Sequence, residues 1–146
     1  MATYSFQDVT ATLVGPGGVF SLGSGSGNAD EGITIAAAGD KNTMTVGADG
    51  EVMHTLHADK SGTVTIRLLK TSPSNAKLMS LYQAQSLDSR LWGKNLIAIG
   101  QAAAGDVATA RTCAFKKVPD IKYAKDGDVL EWVFDAAKID RMLGAY

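Results

Sequence analysis

His54 and His57, three residues apart, are the chain's two imidazoles and its first candidates for chemistry. That spacing sets two ligands on one side of a helix but on opposite faces of a strand, and the flanking residues read as strand or loop. With no cysteine or acidic partner at ligand spacing, the pair reads as two solvated residues of an exposed arm rather than a metal site. Asp40-Lys41-Asn42 opens like a calcium loop, yet Met44 stands where an oxygen ligand is required and Thr45 where the invariant glycine belongs. Gly23-Ser24-Gly25-Ser26-Gly27 is no phosphate cradle, because no Gly-Lys-Ser/Thr follows and neither a parallel strand before it nor a helix after it is expected. It is no nucleophile elbow either, because glycine holds the central position where the serine belongs. Cys113 sits inside an expected strand beside Phe115 and reads as a packing thiol. Trp92 and Trp132 carry rings a ligand stacks on, although packing in a core or interface is their commoner use. No catalytic, cofactor-binding or metal residue emerges, and an enzyme is not expected.

The elements that position these residues are bounded first by composition. A chain of 146 residues, 45% of them hydrophobic and 20% charged, is built for one domain spanning 1–146 with a core of its own. Fourteen Lys and Arg against fifteen Asp and Glu leave a net charge of −1, too balanced for a protein that lives by neutralising phosphates. A single cysteine rules out an internal disulfide and suits assembly in a reducing cytoplasm. The opening MATYSFQDV lacks the basic and apolar regions of a secretory signal, and no apolar run approaches the roughly 18 residues that span a bilayer. A soluble, unsecreted chain without a membrane partner is expected. Sixteen glycines imply many turns.

Along the chain, period-two alternation predicts a half-buried strand from Phe6 to Val14, with Val9, Ala11 and Leu13 on one side and Asp8, Thr10 and Thr12 on the other. Val19 to Leu22, Ile33 to Ala37 and Thr43 to Val46 read as further strands, with Gly23 to Asn28 a flexible loop between the first two. Residues 47–62 read as a long exposed loop, hairpin or arm. Thr63 to Lys70 alternates most regularly, Val64, Ile66 and Leu68 against Thr63, Thr65 and Arg67, and is expected at the centre of a sheet. Ser72-Pro73 signals a helix start, and a helix near 73–87 carries Leu78, Leu81, Tyr82 and Gln85 on one stripe. Leu96 to Ile99, Ala108 to Phe115 and Val129 to Phe134 complete the strands, and Ala136 to Leu143 reads as a helical turn or as an arm reaching a neighbour. The fold class is mainly β with one flanking helix, an antiparallel sandwich or barrel.

The run DKNTMTVGADGEVMHTLHADKSGTVTIRLLKTSPSNAKL, from Asp40 to Leu78, resembles the tail tube proteins of contractile-tailed bacteriophages. The opening YSFQDVTATLVGPGG and the closing DGDVLEWVFDAAKIDRMLG are similar to the same family, so the resemblance covers nearly the whole chain. It implies a virion structural protein that self-assembles into stacked hexameric rings, the inner tube through which DNA leaves without specific binding. It implies the tail sheath, baseplate and tail-terminator proteins as partners, no cofactor, and a place in the virion tail after assembly in the host cytoplasm. Related tubes serve type VI secretion and contractile bacteriocins.

On that reading Asp40, Lys41, Asp49, Glu51, His54, His57, Asp59 and Lys60 are candidate contacts between subunits or rings, as is the Gly23 to Asn28 loop. Asp8, Thr10, Thr12, Thr63, Thr65 and Arg67 are candidates to face the lumen, where hydroxyls and acids make a hydrated, weakly repulsive wall. Arg67 departs from that pattern and requires a nearby acid. The competing class is a non-catalytic β-sandwich that binds carbohydrate or another ligand, whose mark is a concave cluster around Trp92 or Trp132 with convergent polar groups.

Overall fold

Alternating apolar and polar residues place one face of each strand against a common core, and that pattern recurs through most of the chain. The computed structural model describes residues 2–23, 25 and 27–145, with the side chains of 28–31 left aside. After a single 3-10 turn at Phe6–Asp8 come β1 (Val9–Gly15), β2 (Gly18–Ser21), β3 (Asn28–Ala37), β4 (Asn42–Val46), β5 (Val52–Leu56) and β6 (Gly62–Leu69). The helix α1 (Ser74–Ser86) precedes β7 (Asn95–Gln101), β8 (Asp106–Lys117) and β9 (Val129–Met142). Seven strands form one antiparallel sheet in the order β2-β1-β7-β8-β9-β6-β3, while β4 and β5 pair only with each other.

The protein is mainly β, antiparallel, with one helix among the described residues. The expected barrel does not close within one chain, since β2 and β3 are left as free edges of one open sheet. The long run of residues 38–61 between β3 and β6 forms a separate hairpin rather than a bridging strand, so nothing pairs β3 to β2 across the gap. The sheet curls around Leu13, Val64, Ile66, Ile97, Trp132 and Phe134, all buried, and α1 covers them with Leu78 and Leu81.

Three features fix the helix. Ser72 Oγ accepts from Ser74 N at 3.3 Å ahead of the first turn. Asn75 Oδ1 accepts the indole N–H of Trp132 at 3.1 Å, tying the helix to β9. Gln85 and Asn95 form a buried reciprocal amide pair at 2.7 and 2.9 Å, and Asn95 Nδ2 also donates to the carbonyl of Cys113. Both amides are thereby satisfied away from water, which fastens the end of the helix to β7 and β8.

Three expectations need correction. β6 is not central but lies next to the edge strand β3, and β8 is the middle strand. Regular alternation reports one buried face and carries no information on a strand's rank within the sheet. The first strand starts at Val9, and Asp8 belongs to the 3-10 turn before it, where Ser5 Oγ accepts from Gln7 N. The tail from Ala136 is neither a helical turn nor a free arm but the second half of β9. Its buried residues Ala136 and Ile139 are three apart and face Cys113 and Ala110 of β8, buried residues that flank Thr112, a non-glycine residue with φ 54° where β8 is irregular against β7.

Candidate functional site

The sheet has a face turned away from the core, and the strand registers determine which residues share it. Thr12 pairs with Ala98, Ala98 with Thr109 and Thr109 with Asp140, while Thr63 pairs with Asp135 and Arg67 with Glu131. Paired residues in an antiparallel sheet point to the same side, so Thr10, Thr12, Thr63, Thr65 and Arg67 stand together on this outer face. Asp8, in the turn before β1, is not part of the strand register. The face also holds residues that the sequence did not single out: Thr34, Thr109, Arg111, Lys116, Glu131, Asp135, Lys138 and Asp140.

Four cations on this face each have a carboxylate beside them, two of them sharing Asp140, while Lys117, opposite Val133, forms no ion pair among the described residues. Arg67 Nε lies 3.4 Å from Glu131 Oε2 and its Nη1 donates to Thr34 Oγ1 at 2.9 Å, which supplies the acid that Arg67 requires. Arg111 and Lys138 meet Asp140 at 3.8 and 3.9 Å, and Lys116 meets Asp135 at 3.9 Å. Each pair is partly exposed, and such pairs contribute about 0–1 kcal/mol to stability. Their larger effect is electrostatic, because a cation with a carboxylate beside it presents little net field to a passing anion.

The second feature is the β4–β5 hairpin, in which every residue of both strands is exposed. The pairings Asn42 with Leu56, Met44 with His54 and Val46 with Val52 set Met44, Val46, Val52 and Leu56 on one face together with the hydrogen-bonded Asn42 and His54, and Thr43, Thr45, Met53 and Thr55 on the other. At the tip, Gly47 N donates to Glu51 O and Glu51 N to Asp49 Oδ1, with Gly50 at φ 89° where a side chain would be strained. At the base, His57 N donates to Lys41 O, Lys41 Nζ donates to Asp59 O at 2.8 Å, and Lys60 O accepts from Ile139 N. Two hydrogen bonds from Ser61 hold the Asp59 carboxyl below its ordinary pKa.

All eight candidate contact residues therefore belong to one projecting element: Asp49 and Glu51 at its tip, His54 in β5, and Asp40, Lys41, His57, Asp59 and Lys60 at its base. The imidazoles diverge, His54 Nδ1 toward Asn42 and His57 Nε2 toward Thr43. No group of three His, Cys, Asp or Glu able to hold a metal ion occurs among the described residues. The apolar stripe of the hairpin was missed in the sequence, although its signal, Met44 and Val46 in one strand and Val52 and Leu56 in the other at alternating positions, was present there. Ser24 and Ser26 of the Gly23 to Asn28 loop lie outside the described residues.

The two tryptophans differ in exposure. Trp132 is 1% exposed, and Trp92, 36% exposed, packs beside Tyr82 and Phe115 with ring centroids 6.1 and 6.3 Å away. Cys113 is buried, and burial pushes its thiol up to about 11.

Comparison with protein families matches residues 1–144 to the bacteriophage PhiTE tail tube protein family. Comparison with curated protein sequences finds no match. Among solved structures, the chain is similar to one from the sheath–tube complex of the extracellular contractile injection system PVC, with a TM-score of 0.62 at 12% identity over 97% of this chain and 92% of that one. It is also similar to a chain of the anti-feeding prophage tube-terminating cap, with a TM-score of 0.54 at 9% identity over 99% and 95%. A third chain, from the anti-feeding prophage baseplate, gives 0.54 at 9% identity over 97% of each. At these identities the likeness is one of fold.

Proposed function

The chain belongs to the bacteriophage PhiTE tail tube protein family, and from that premise we propose that it polymerises, as stacked hexameric rings, into the inner tube of a contractile tail or related injection device. The tube is a non-enzymatic conduit for DNA ejection, in a virion tail assembled in the host cytoplasm. Its partners are further copies of itself, together with sheath, baseplate and terminator proteins. Solved relatives of the same fold come from a sheath–tube complex, a tube cap and a baseplate, which supports that set of partners.

The observation that carries this reading is the outer face of the sheet. Threonine hydroxyls and locally paired charges make a hydrated surface that gives a polyanion few free cations to hold, as a lumen wall requires. The free edges β2 and β3 supply the closure, because edges left unpaired in one subunit are paired when neighbours adjoin in a ring. The projecting hairpin supplies contact beyond the subunit. A two-stranded hairpin alone is marginal in water, so an exposed one with an apolar stripe is stabilised by what it meets. Head-to-tail contacts of this kind close into rings or run on as open filaments, and stacked rings use both. Chain 1–146 acts throughout as a single domain.

Negative-stain electron microscopy across a concentration series, with sedimentation in parallel, tests the proposal. Rings or tubes with a central channel are expected, and particles that stay monodisperse at every concentration contradict it.

A further inference from the structure

The exposed large apolar side chains of this protein are not scattered. Of eighteen among the described residues, five lie on the β4–β5 hairpin and four, Tyr4, Val107, Met142 and Leu143, line a single groove. That groove has a volume of about 610 Å³ and opens where the curled sheet ends. Its floor is the outward continuation of the core, with Ile33 and Ile35 of β3 facing Ile99 of β7. Nothing among the described residues covers it.

We propose that this groove receives the apolar face of the β4–β5 hairpin from a second copy of the chain. The inference rests on the tube reading and specifies the receiving site within it. Three observations select this occupant. The hairpin presents Met44, Val46, Val52 and Leu56 at 58, 57, 49 and 86% exposure around Asn42 and His54, which are hydrogen-bonded to each other, so both surfaces are mainly apolar and each is uncovered in the single chain. Strands of five residues extend about 17 Å at roughly 3.4 Å per residue, long enough to lie along a groove bounded by several strands. The charges are complementary as well. Between Asn42 and Leu56 the formal charges are those of Asp49 and Glu51, both acidic, and the groove carries Arg141, which forms no ion pair among the described residues. The one acid among the groove's described lining residues, Asp106, is already engaged, its Oδ1 accepting from Gly144 N at 2.6 Å.

Docking of this kind is heterologous. The donor surface and the acceptor surface are different parts of one chain, so every copy that donates a hairpin keeps its own groove for another, and the contact repeats from copy to copy around a ring or along a tube.

The test uses full-length chains. One chain carries Val52→Cys and an affinity tag, the other carries Met142→Cys without a tag, and both sites are exposed in the single chain. Oxidation of the mixture is expected to give a tagged–untagged disulfide dimer on a non-reducing gel. In parallel, Arg141→Glu is expected to raise the critical concentration for polymerisation about tenfold, and adding Glu51→Arg to the same chain is expected to return it toward the wild-type value. Circular dichroism checks that each variant is folded. Wild-type tubes together with no heterotypic dimer and normal growth of Arg141→Glu overturn the groove while the tube reading stands, the result also expected if a sheath segment or an apolar small molecule fills it. Wild-type chains that never polymerise and never cross-link overturn both.

Discussion

Neutralising the three carboxylates of the outer sheet face, with Glu131→Gln, Asp135→Asn and Asp140→Asn together, tests whether that face is the wall of a conduit. The substitutions free Arg67, Arg111, Lys116 and Lys138 from their acids and shift the face by three positive charges in each subunit. The fold is expected to survive, because the pairs are partly exposed and exposed pairs are worth about 0.2–1 kcal/mol each, before screening by salt. At this chain length each kcal/mol lowers Tm by about 2–4 °C, so a fall of a few degrees is expected. The effect on DNA is far larger. A duplex that engages six to ten of the freed cations is held with an affinity that falls about 10³–10⁵-fold between 50 and 200 mM salt. Polymerised tubes incubated with short linear DNA are pelleted through a salt series, with and without nuclease. Wild-type tubes are expected to retain little DNA. The triple variant is expected to retain nuclease-protected DNA at 50 mM salt and to release it by 200 mM. Retention no greater than wild type, or retained DNA fully open to nuclease, refutes the placement of this face in the lumen.

Further outcomes follow from individual contacts. Replacing residues 42–56 by a Gly-Gly turn is expected to leave the thermal transition near its wild-type value and to abolish tube growth in electron micrographs, since the excised strands pair only with each other. Asn95→Leu strands the buried Gln85 amide and is expected to cost about 1–3 kcal/mol in urea titration, with a double-mutant cycle against Gln85→Leu giving a coupling of about 0.5–3 kcal/mol. Gly62→Ala is expected to cost about 1–3 kcal/mol by the same measurement, because its new Cβ meets the carbonyl oxygen of Ala36 in the paired strand. Cys113, with its thiol raised from 9.0 to about 11 by burial, is expected to resist alkylation at pH 8 until the protein is unfolded. Because the folded state holds that proton more tightly, the contribution to stability is intact below pH 9 and lost as pH rises toward about 11.

Strand patterning was legible where one face of a strand is buried and its neighbours are regular. Val64, Ile66 and Leu68 announced β6, and Leu130, Trp132 and Phe134 announced the first half of β9. The second half of β9 was obscured for a physical reason. Opposite the irregular stretch of β8 at Thr112 the buried position passes from Ala136 to Ile139, and a three-residue step in a sequence imitates a helical face. Sheet order was not legible at all. Residues that meet across the sheet, such as Thr63 and Asp135, lie far apart in the chain, and short-range periodicity does not encode their pairing. The pairing of Arg67 with an acid followed from electrostatics, yet its identity as Glu131 required the β6–β9 register.

The hairpin shows how a surface is read differently once its register is known. In the sequence its polar residues stood out, because Asp49, Glu51, His54, His57 and Asp59 interrupt any apolar run. Most of those groups are occupied within the hairpin: Asp59 by Ser61, His57 by Thr43, His54 by Asn42, and Lys41 by the carbonyl of Asp59. They stiffen the base and fix the direction in which the element projects. The surface left for a partner is the apolar stripe, together with the acidic tip, where Glu51 has its side chain free of any ion pair among the described residues. Apolar burial at about 25 cal/mol per Å² supplies affinity without direction, while the tip charge and Arg141 supply register. Reversal of the charge at either site is therefore expected to disturb assembly more than truncation of one valine on the stripe, and growth kinetics of Glu51→Arg and Val46→Ala tubes measured side by side decide between a contact governed by register and one governed by area alone.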